Sequence, residues 1–361
     1  MYQSALIPEL SQIEVPQLSN WPSISMVIPA CNEETTIESA LLRVLDIDYP
    51  NIQIIVVNDR STDQTGEIIN RIAQSYPQIQ VIHISTLPQG WLGKINALHR
   101  GTQLAQGEYL IYADADIHFH PQCFKRAIAY ADHYQLDYLS AIPCFHGKSW
   151  ILRSLIFAFS GLFIATTRLG SVNRDRKGAY GGVGVFQMIR TRFFQETPGW
   201  AWLKLEIGDD MAMAMMCHVH HARARFVRAS ELISLTWYPS VSALIKGLEK
   251  NSFPVAMRFS ILRSITLCSF VLCLVLSPWC MIASGELYVG FGFIMIQTMM
   301  LLAIPAMGAS WVERILSPFF FPLLIFIIVR SMWVTIRQGG VRWRGTFYSV
   351  EELKKGQRLK W

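Results

Sequence analysis

The first part of the chain alternates short apolar runs with amphipathic stretches, and this pattern predicts strands and helices in turn. Residues 24–30, 52–58 and 80–84 have the length and the β-branched composition of buried strands. A fourth such run begins at Tyr109 and leads directly into a pair of aspartates. Between the first two runs, residues 37–45 place apolar side chains at helical spacing.

The strand-like runs are apolar almost throughout, which is typical of parallel strands that are covered on both faces. Strands that alternate with helices of this length indicate βαβ units. The predicted fold class is therefore α/β, with a doubly wound, Rossmann-like and mostly parallel sheet. In such sheets the loops that bind ligands gather at the carboxyl ends of the strands.

The later part of the chain is dominated by long apolar runs. Residues 265–284 and 287–307 are uncharged runs of about the length that a spanning helix needs, and both are predicted to be transmembrane. A third apolar block, residues 315–336, contains two prolines and is predicted either to span or to be re-entrant. C-terminal transmembrane helices therefore follow the α/β domain.

Residues 151–167 form a further apolar segment, which Arg153 interrupts. The segment is short for a membrane span, so an interfacial helix in the headgroup plane is predicted. A buried core helix is the alternative.

These patterns divide the chain into four parts. They are an N-terminal leader (1–23), a catalytic domain (24–260), a membrane region (261–336) and a basic tail (337–361). The leader lacks the apolar core of a signal peptide. Arg258 and Arg263 precede the first span and Arg314 follows the second, so the positive-inside rule places the catalytic domain in the cytoplasm. The tail is predicted to be ordered and to lie against the catalytic domain; a re-entrant third block would keep it cytoplasmic, whereas a third span would place it outside.

Composition supports a protein of the cell membrane. Hydrophobic residues make up 52% of the 361 residues, and the mean hydropathy is +0.28. The net charge is +6, and the basic excess beside the apolar runs fits an anionic membrane surface. No basic stripe with interleaved aromatic residues suggests a nucleic-acid partner. The seven cysteines form no C-x-x-C pair, so neither a disulfide framework nor a zinc site is indicated.

Carboxylates follow three of the predicted strands, at the edge where a ligand would bind. The pairs are Glu33 and Glu34, Asp59 and Asp63, and Asp114 and Asp116. Two carboxylates held together repel unless a cation lies between them. Oxygen ligands favour Mg²⁺ or Mn²⁺, with a diphosphate completing the shell. The absence of G-x-G-x-x-G and of G-x-x-x-x-G-K-[ST] argues against a dinucleotide oxidoreductase and a P-loop NTPase.

Four motifs in order then carry a resemblance to a known family. They are V-I-P-A-C-N-E-E from Val27, V-V-N-D-R-S-T-D-Q-T from Val56, D-A-D at Asp114, and Gly208-Asp-Asp210. Over about residues 24–230 the chain resembles the family two glycosyltransferases, which are nucleotide-sugar enzymes with the GT-A fold.

The resemblance implies roles for the residues of the donor site. The loop from Ala30 to Glu33, together with Asp59, would hold the nucleotide base and ribose. Asp114 would lie against the ribose and the metal, and Asp116 would be the direct metal ligand.

The resemblance also implies the residue that accepts the proton. Asp210 stands at the position of the general base. Asp209 replaces the glutamate of the family's Glu-Asp pair and is one methylene shorter, so its role is less defined.

Two glycine-containing segments extend the match. Pro88-Gln-Gly-Trp-Leu-Gly-Lys94 is similar to G-W-x-G-K of the branch associated with carotenoid and hopanoid lipids, and Lys94 would face the donor diphosphate. The glycine-dense stretch from Lys177 lets the backbone approach a ligand closely. By resemblance, Gly181 and Gly182 would lie near the sugar and the acceptor.

The predicted function is an inverting, metal-dependent hexosyltransferase. It would move one sugar from a nucleotide-sugar donor, foremost a UDP-sugar, to a hydroxyl or carboxyl of a membrane lipid of isoprenoid kind. Displacing a nucleoside diphosphate needs a cation on the leaving phosphates and a carboxylate for the acceptor's proton.

Three alternatives stay open. A sphingoid or glycerolipid acceptor would need the same chemistry. A polysaccharide synthase would carry a Q-x-x-R-W motif, which residues 244–251 lack. An inactive membrane scaffold could keep the fold without the activity.

Overall fold

The computed structural model describes residues 7–17, 19–167, 169–176 and 178–359. Lys177, at the head of the glycine-dense stretch, lies outside them, as do parts of the predicted leader and tail (1–6, 18 and 360–361). The described residues form two compact units. The sheet unit comprises those within 7–144, 167–235 and 356–361, and the helical unit comprises those within 145–166 and 236–355.

Ten short strands belong to the first two thirds of the described chain. They are β1 (Ile24–Ala30), β2 (Ile52–Asp59), β3 (Ile79–Ile84), β4 (Tyr109–Tyr112), β5 (His118–Phe119), β6 (Tyr138–Ile142), β7 (Cys144–Phe145), β8 (Gln187–Arg190), β9 (Ala224–Arg228) and β10 (Ile233–Leu235).

Helices connect these strands. They are α1 (Ile37–Leu45), α2 (Thr65–Ser75), α3 (Gly93–Thr102), α4 (Cys123–His133), α5 (Trp150–Thr167), α6 (Thr191–Gln195), α7 (Gly199–Trp202) and α8 (Asp209–Val219). Of these, α5 belongs to the helical unit apart from its last residue.

A seven-stranded sheet in the order β3-β2-β1-β4-β8-β6-β9 forms the centre of the sheet unit. Strand β1 runs parallel to both β2 and β4, whereas β8 runs antiparallel to β4 and β6. The prediction of a mostly parallel α/β sheet is therefore confirmed. In the sheet, β2 lies on one side of β1 and β4 lies on the other, so the order of the strands reverses at β1. Ligands bind at the carboxyl ends of the strands at such a topological switch point.

Helix α3 packs directly on the centre of this sheet. A Cβ atom added to Gly101 would lie 2.4 Å from Val27 Cγ1 and 3.1 Å from Val57 Cγ2, so only glycine allows this approach. Val27 and Val57 are fully buried. The close packing fixes α3 over β1 and β2 and thereby fixes its first turn at the carboxyl edge of the sheet.

The helical unit continues after α5 with six helices and one hairpin. They are α9 (Val241–Asn251), α10 (Ile261–Ala283), α11 (Leu287–Leu302), α12 (Trp311–Leu316), α13 (Phe321–Gln338), β11 (Gly340–Trp343), β12 (Thr346–Ser349) and α14 (Val350–Gly356).

Three helical segments among the described residues are long and apolar enough to cross a membrane, by length and composition. They are Trp150–Arg174, Ile261–Ala283 and Trp311–Gln338. The second predicted span, 287–307, is shorter than expected because α11 ends at Leu302. Pro305 follows closely, and a proline disfavours helical geometry in the residue before it. Apolar composition alone had extended the prediction past this proline.

The third apolar block is helical over its whole length. Helix α12, a 3₁₀ turn (Ser317–Phe320) and α13 follow one another without a break. Pro318 and Pro322 lie in the first turns of the last two elements. Proline is tolerated there because the first helical N–H groups have no intrahelical partner.

Arg153 is a charged residue within the otherwise apolar sequence of α5, and it has a buried partner. Its guanidinium contacts Glu313 Oε1 at 2.6 Å from Nη2 and at 2.7 Å from Nε, and Nη1 donates to the carbonyl of Gly147 at 2.8 Å. The Glu313 side chain is 6% exposed. It also accepts a hydrogen bond from the backbone of Ser310 in a capping box. The inner face of α5 is buried, and an interfacial position of this helix stays a prediction.

Pro278 lies within α10 and leaves a backbone carbonyl without its helical donor. Because proline has no N–H, the carbonyl of Leu274 one turn earlier has no partner within the helix. Gln297 of α11 supplies the missing donor, and its Nε2 lies 2.8 Å from Leu274 O. At Gly290 of α11, an added Cβ would lie 2.8 Å from the Pro278 carbonyl oxygen, so the two helices approach closely at this point.

The tail is ordered as far as the structure describes it. Strands β11 and β12 pair antiparallel, and the hairpin turns at Arg344 and Gly345, which both have positive φ (47° and 81°). Two successive residues with positive φ are typical of the two-residue turns that connect the strands of a β-hairpin. After α14 the chain enters the sheet unit, to which residues 356–359 belong.

We expect Gln297→Leu to lower the free energy of unfolding of the protein in detergent by about 1 kcal/mol, because the Leu274 carbonyl then has no donor in apolar surroundings. Chemical denaturation would measure this. In a Pro278→Ala background, which restores the helical N–H, the same substitution should lower the free energy of unfolding by a smaller amount. An equal loss of stability in the two backgrounds would contradict the view that Gln297 replaces the donor missing at Pro278.

Candidate active site

The loops after β1 and β2 are tied together at the carboxyl edge of the sheet. Asn32 and Arg60 both adopt left-handed backbone geometry, each with φ of 56°. The backbone N–H of Asn32 donates to Ser61 Oγ at 3.0 Å, and its side-chain Oδ1 accepts from the N–H of Thr62 at 2.8 Å. These bonds fix the relative position of the two loops and of the predicted site residues on them.

Ala30 and Glu33 lie on the first of these loops. Ala30 is buried at the end of β1 and can offer a ligand only its backbone. The backbone N–H of Glu33 donates to Thr65 Oγ1 at 2.7 Å, and Glu33 Oε2 accepts from Thr36 Oγ1 at 3.2 Å. The Glu33 carboxylate is therefore oriented by its neighbours.

Asp59 lies at the end of β2 and is held on both oxygens by its neighbour Arg60. Arg60 Nε donates to Oδ1 at 2.8 Å and Nη2 donates to Oδ2 at 3.0 Å. A Cβ added to Gly93 would lie 2.2 Å from Asp59 Oδ2, so the carboxylate is packed against the start of α3. Sequence reasoning identified neither Arg60 nor Gly93. The glycine immediately before Lys94 was the available signal for a close approach.

Lys94 connects carboxylates from two parts of the chain. Its Nζ lies 2.7 Å from Asp114 Oδ1 and 2.9 Å from Asp209 Oδ2. Burial alone would lower the pKa of Lys94, but the negative charges of Asp114 and Asp209 outweigh it and raise the pKa. The lysine is therefore a fixed positive charge between the strand end of β4 and the start of α8.

Asp116 lies among acidic groups in the same cleft. Burial, and then the negative charges of Asp114 and Glu33, raise the pKa of Asp116 to about 7, and the positive charge of Lys94 only partly opposes this. In the part of the chain that the structure describes, no three His, Cys, Asp or Glu side chains enclose a metal position by themselves. Asp114 and Asp116 offer the oxygen ligands that Mg²⁺ prefers, and a cation held by this pair would take its remaining ligands from phosphate or water.

Asp210 lies in the first turn of α8, where the helix dipole favours negative charge. Its Oδ1 accepts from the N–H of Met211 at 2.7 Å, and its Oδ2 accepts from the N–H of Gly184 at 3.1 Å. Burial and the neighbouring charge of Asp209 raise the pKa of Asp210 to about 6. A carboxylate held in this way can accept a proton at neutral pH.

The glycine-dense stretch meets the site at Gly184. A Cβ added there would lie 3.4 Å from Asp114 Oδ2, 3.5 Å from Lys94 Nζ and 3.8 Å from Asp210 Oδ2. The position of Gly184 is therefore close both to groups of the predicted donor site and to the predicted base. Sequence reasoning did not single out this glycine from its neighbours.

The two glycines that were predicted to line the acceptor pocket face protein atoms. A Cβ on Gly181 would lie 2.3 Å from Leu169 Cδ2. A Cβ on Gly182 would lie 2.3 Å from the carbonyl oxygen of Asp210 and 2.8 Å from the hydroxyl of Tyr138. Gly182 therefore supports the backbone of the candidate base, and a contact with the acceptor remains a prediction for both glycines.

Comparison with known proteins finds a family model and several relatives that resemble the sheet unit. Residues 25–197 match the family model described as glycosyl transferase family 2. The probable glycosyltransferase YdaM of Bacillus subtilis is 38% identical over 97 residues, which is 26% of this chain and 23% of that protein. The β-monoglucosyldiacylglycerol synthase of Synechocystis is 24% identical over 209 residues, 55% of this chain and 41% of that protein. The chain spans less than half the length of both relatives.

A solved structure supports the fold. The mannosyltransferase PcManGT from Pyrobaculum calidifontis, in complex with GDP-Man and Mn²⁺, aligns with a TM-score of 0.51 at 15% identity. The alignment covers 91% of this chain and 88% of that one. The family match and this likeness agree with the predicted resemblance to GT-A enzymes. The isoprenoid-lipid branch is not distinguished by them.

We expect Gly182→Ala to destabilise the protein by roughly 1–3 kcal/mol, because the new methyl group meets a backbone carbonyl that cannot yield without moving α8. Thermal unfolding in detergent would measure the loss. Gly184→Ala is the matched control, since its Cβ has only ordinary contacts and should leave the melting temperature close to wild type. Equal melting temperatures for the two variants would contradict this assignment.

Proposed function

We propose that this protein, whose residues 25–197 match the family 2 glycosyltransferase model, moves a single sugar from a nucleotide-sugar donor to a membrane lipid with inversion at the anomeric carbon. The observation that supports this best is the convergence of Lys94, Asp114, Asp116, Asp209 and Asp210 at one edge of the sheet. These groups come from β4, α3 and α8, and together they offer charge for a diphosphate and a base for a hydroxyl.

The donor diphosphate would lie against Lys94 and the D-A-D pair. Lys94 supplies a point charge to the phosphates, and Asp116 with Asp114 would hold Mg²⁺ or Mn²⁺. When bound, such a cation supplies Lewis-acid stabilisation to the leaving diphosphate. The structure of PcManGT in complex with GDP-Man and Mn²⁺ agrees with this arrangement at the level of the fold.

The nucleoside would occupy the tied loops after β1 and β2. We propose that the backbone from Ala30 to Glu33 and the carboxylate of Asp59 contact the base and ribose. Because Arg60 holds Asp59 on both oxygens, a nucleoside there meets a paired carboxylate and guanidinium. The UDP-sugars are the first donors to test.

Asp210 would accept the proton of the acceptor hydroxyl as that oxygen attacks the sugar. The N–H groups of Gly184 and Met211 hold the carboxylate in one orientation, so the proton acceptor is preorganised. We propose that the hydroxyl attacks from the face opposite to the leaving diphosphate, which would invert the anomeric carbon. Asp209 would act through Lys94, whose charge it shares with Asp114.

A lipid acceptor is supported by the apolar helices and by the relatives. Among the described residues, three segments are long and apolar enough to span a membrane. G-W-x-G-K makes an isoprenoid lipid our first candidate, and the diacylglycerol named in the Synechocystis synthase favours a glycerolipid as the second. We propose that the protein lies in the cell membrane with its catalytic domain on the cytoplasmic side, where Arg258, Arg263 and Arg314 would place it.

A screen of the purified protein in detergent would test donor, metal and acceptor together. UDP- and GDP-sugars would be combined with isoprenoid alcohols, diacylglycerol and a polar lipid extract. We expect transfer with Mn²⁺ or Mg²⁺, its loss with EDTA and its recovery when metal is restored. Transfer that persists in EDTA would contradict the metal site, and no donor binding or turnover under any condition would refute the enzyme in favour of a scaffold.

For the base, we expect Asp210→Asn to bind the donor with nearly wild-type affinity but to lose transfer activity by at least about 100-fold, since the amide cannot accept the proton. Donor titration and initial rates would separate the two effects. Asp132→Asn, an exposed change on α4, is the matched control. Wild-type turnover by Asp210→Asn would show that another group is the base.

A further inference from the structure

We infer that the end of the chain is a positioning device for the candidate base. The segment Gly356–Leu359, here the end segment, binds the loop 203–208, which runs from α7 to the first residue of α8. This inference rests on the proposed function, because it assigns a role in positioning Asp209 and Asp210. The two segments are about 150 residues apart in sequence and belong to the same compact unit.

Glu206 is the centre of the contact. It is 2% exposed, and its Oε2 accepts hydrogen bonds from the backbone N–H groups of Arg358 at 2.7 Å and Leu359 at 3.0 Å. Buried carboxylates are costly unless they are hydrogen-bonded, and bonds from N–H groups to a charged acceptor are stronger than neutral ones. The end segment thus donates two hydrogen bonds to a carboxylate that is buried in the loop.

Apolar contacts fix the end segment in the same place. Leu359 is fully buried. A Cβ added to Gly356 would lie 2.2 Å from Leu205 Cβ, so the chain lies directly on the loop. The Arg358 guanidinium lies 5.6 Å from the centre of the Trp202 ring, at the end of α7.

The loop is also bound to the start of α3, which carries Lys94. The carbonyl of Lys204 accepts from the N–H of Leu92 at 2.7 Å. Leu92 is the N-cap residue of α3, two positions before Lys94. The loop is therefore held between the start of α3 and the end segment, and it leads through Gly208 into the aspartates of α8.

Loss of the end segment should affect the base more than the donor site. Without Arg358 and Leu359 the buried Glu206 carboxylate loses two hydrogen bonds, which weakens the hold on the loop and on the first turn of α8. The donor groups Asp59 and Asp114 come from β2 and β4, which hold their positions through the sheet, and Lys94 is on α3, which the close packing at Gly101 fixes on β1 and β2. Turnover should therefore fall while donor affinity changes little.

Four variants of the full chain test this inference. They are a truncation after Lys355, Glu206→Ala, Glu206→Gln and, as control, Glu351→Ala, which removes only an exposed ion pair with Lys355. We expect the truncation and Glu206→Ala to lower kcat at least about tenfold while the KM for the donor stays within about twofold. Glu206→Gln keeps an acceptor oxygen and should recover part of kcat. The control should resemble wild type.

Hydrogen exchange supplies a readout that does not depend on activity. Amides of residues 203–210 should exchange faster in the truncated protein than in the Glu351→Ala control. Unchanged exchange there, or unchanged kcat in both the truncation and Glu206→Ala, would overturn the inference. If Glu206→Ala does not fold, the truncation and Leu359→Ala are compared with the control instead. Wild-type protein that transfers no sugar would refute the proposed function, and exchange would then decide separately whether the end segment orders the loop.

Discussion

The ion pairs of Lys94 organise the candidate site. Asp114, at the carboxyl end of β4, and Asp209, at the start of α8, lie on elements far apart in the chain, and both contact the same ammonium group. Carboxylates gathered in a buried cleft repel one another, so a cation among them lowers the cost of bringing them together. Asp116 lies outside these pairs, and burial together with the charges of Asp114 and Glu33 raises its pKa.

The same constraint, that buried polar groups need partners, governs the helical unit. Gln297 supplies a donor to the carbonyl that Pro278 leaves open, and Glu313 neutralises Arg153. Ser331 acts in the same way where α9 passes into a π-helical turn, accepting from the N–H of Phe253 and donating to a carbonyl of α9. In apolar surroundings such partners decide which irregular helices are stable.

Local patterns predicted the parts of the fold that depend on local physics. Strand β1 has the predicted bounds, and α1 begins and ends where the helical spacing of its apolar residues does. The antiparallel strand β8 was not predicted as such, because strand direction depends on pairing between distant segments. The end of α11 was missed for a local reason, since a count of apolar residues does not register the effect of Pro305 on backbone geometry.

By itself the sequence determined the chemistry of this protein: which carboxylates follow the strands, that a lysine begins α3, and that apolar helices follow the α/β domain. Residue types and short spacings carry that information. The tertiary structure decided which atoms meet, including the bidentate hold of Arg60 on Asp59, the approach of Gly184 to Asp210, and the contact of Glu206 with the end of the chain. The last two join segments far apart in sequence, and no local pattern records the packing that brings such segments together.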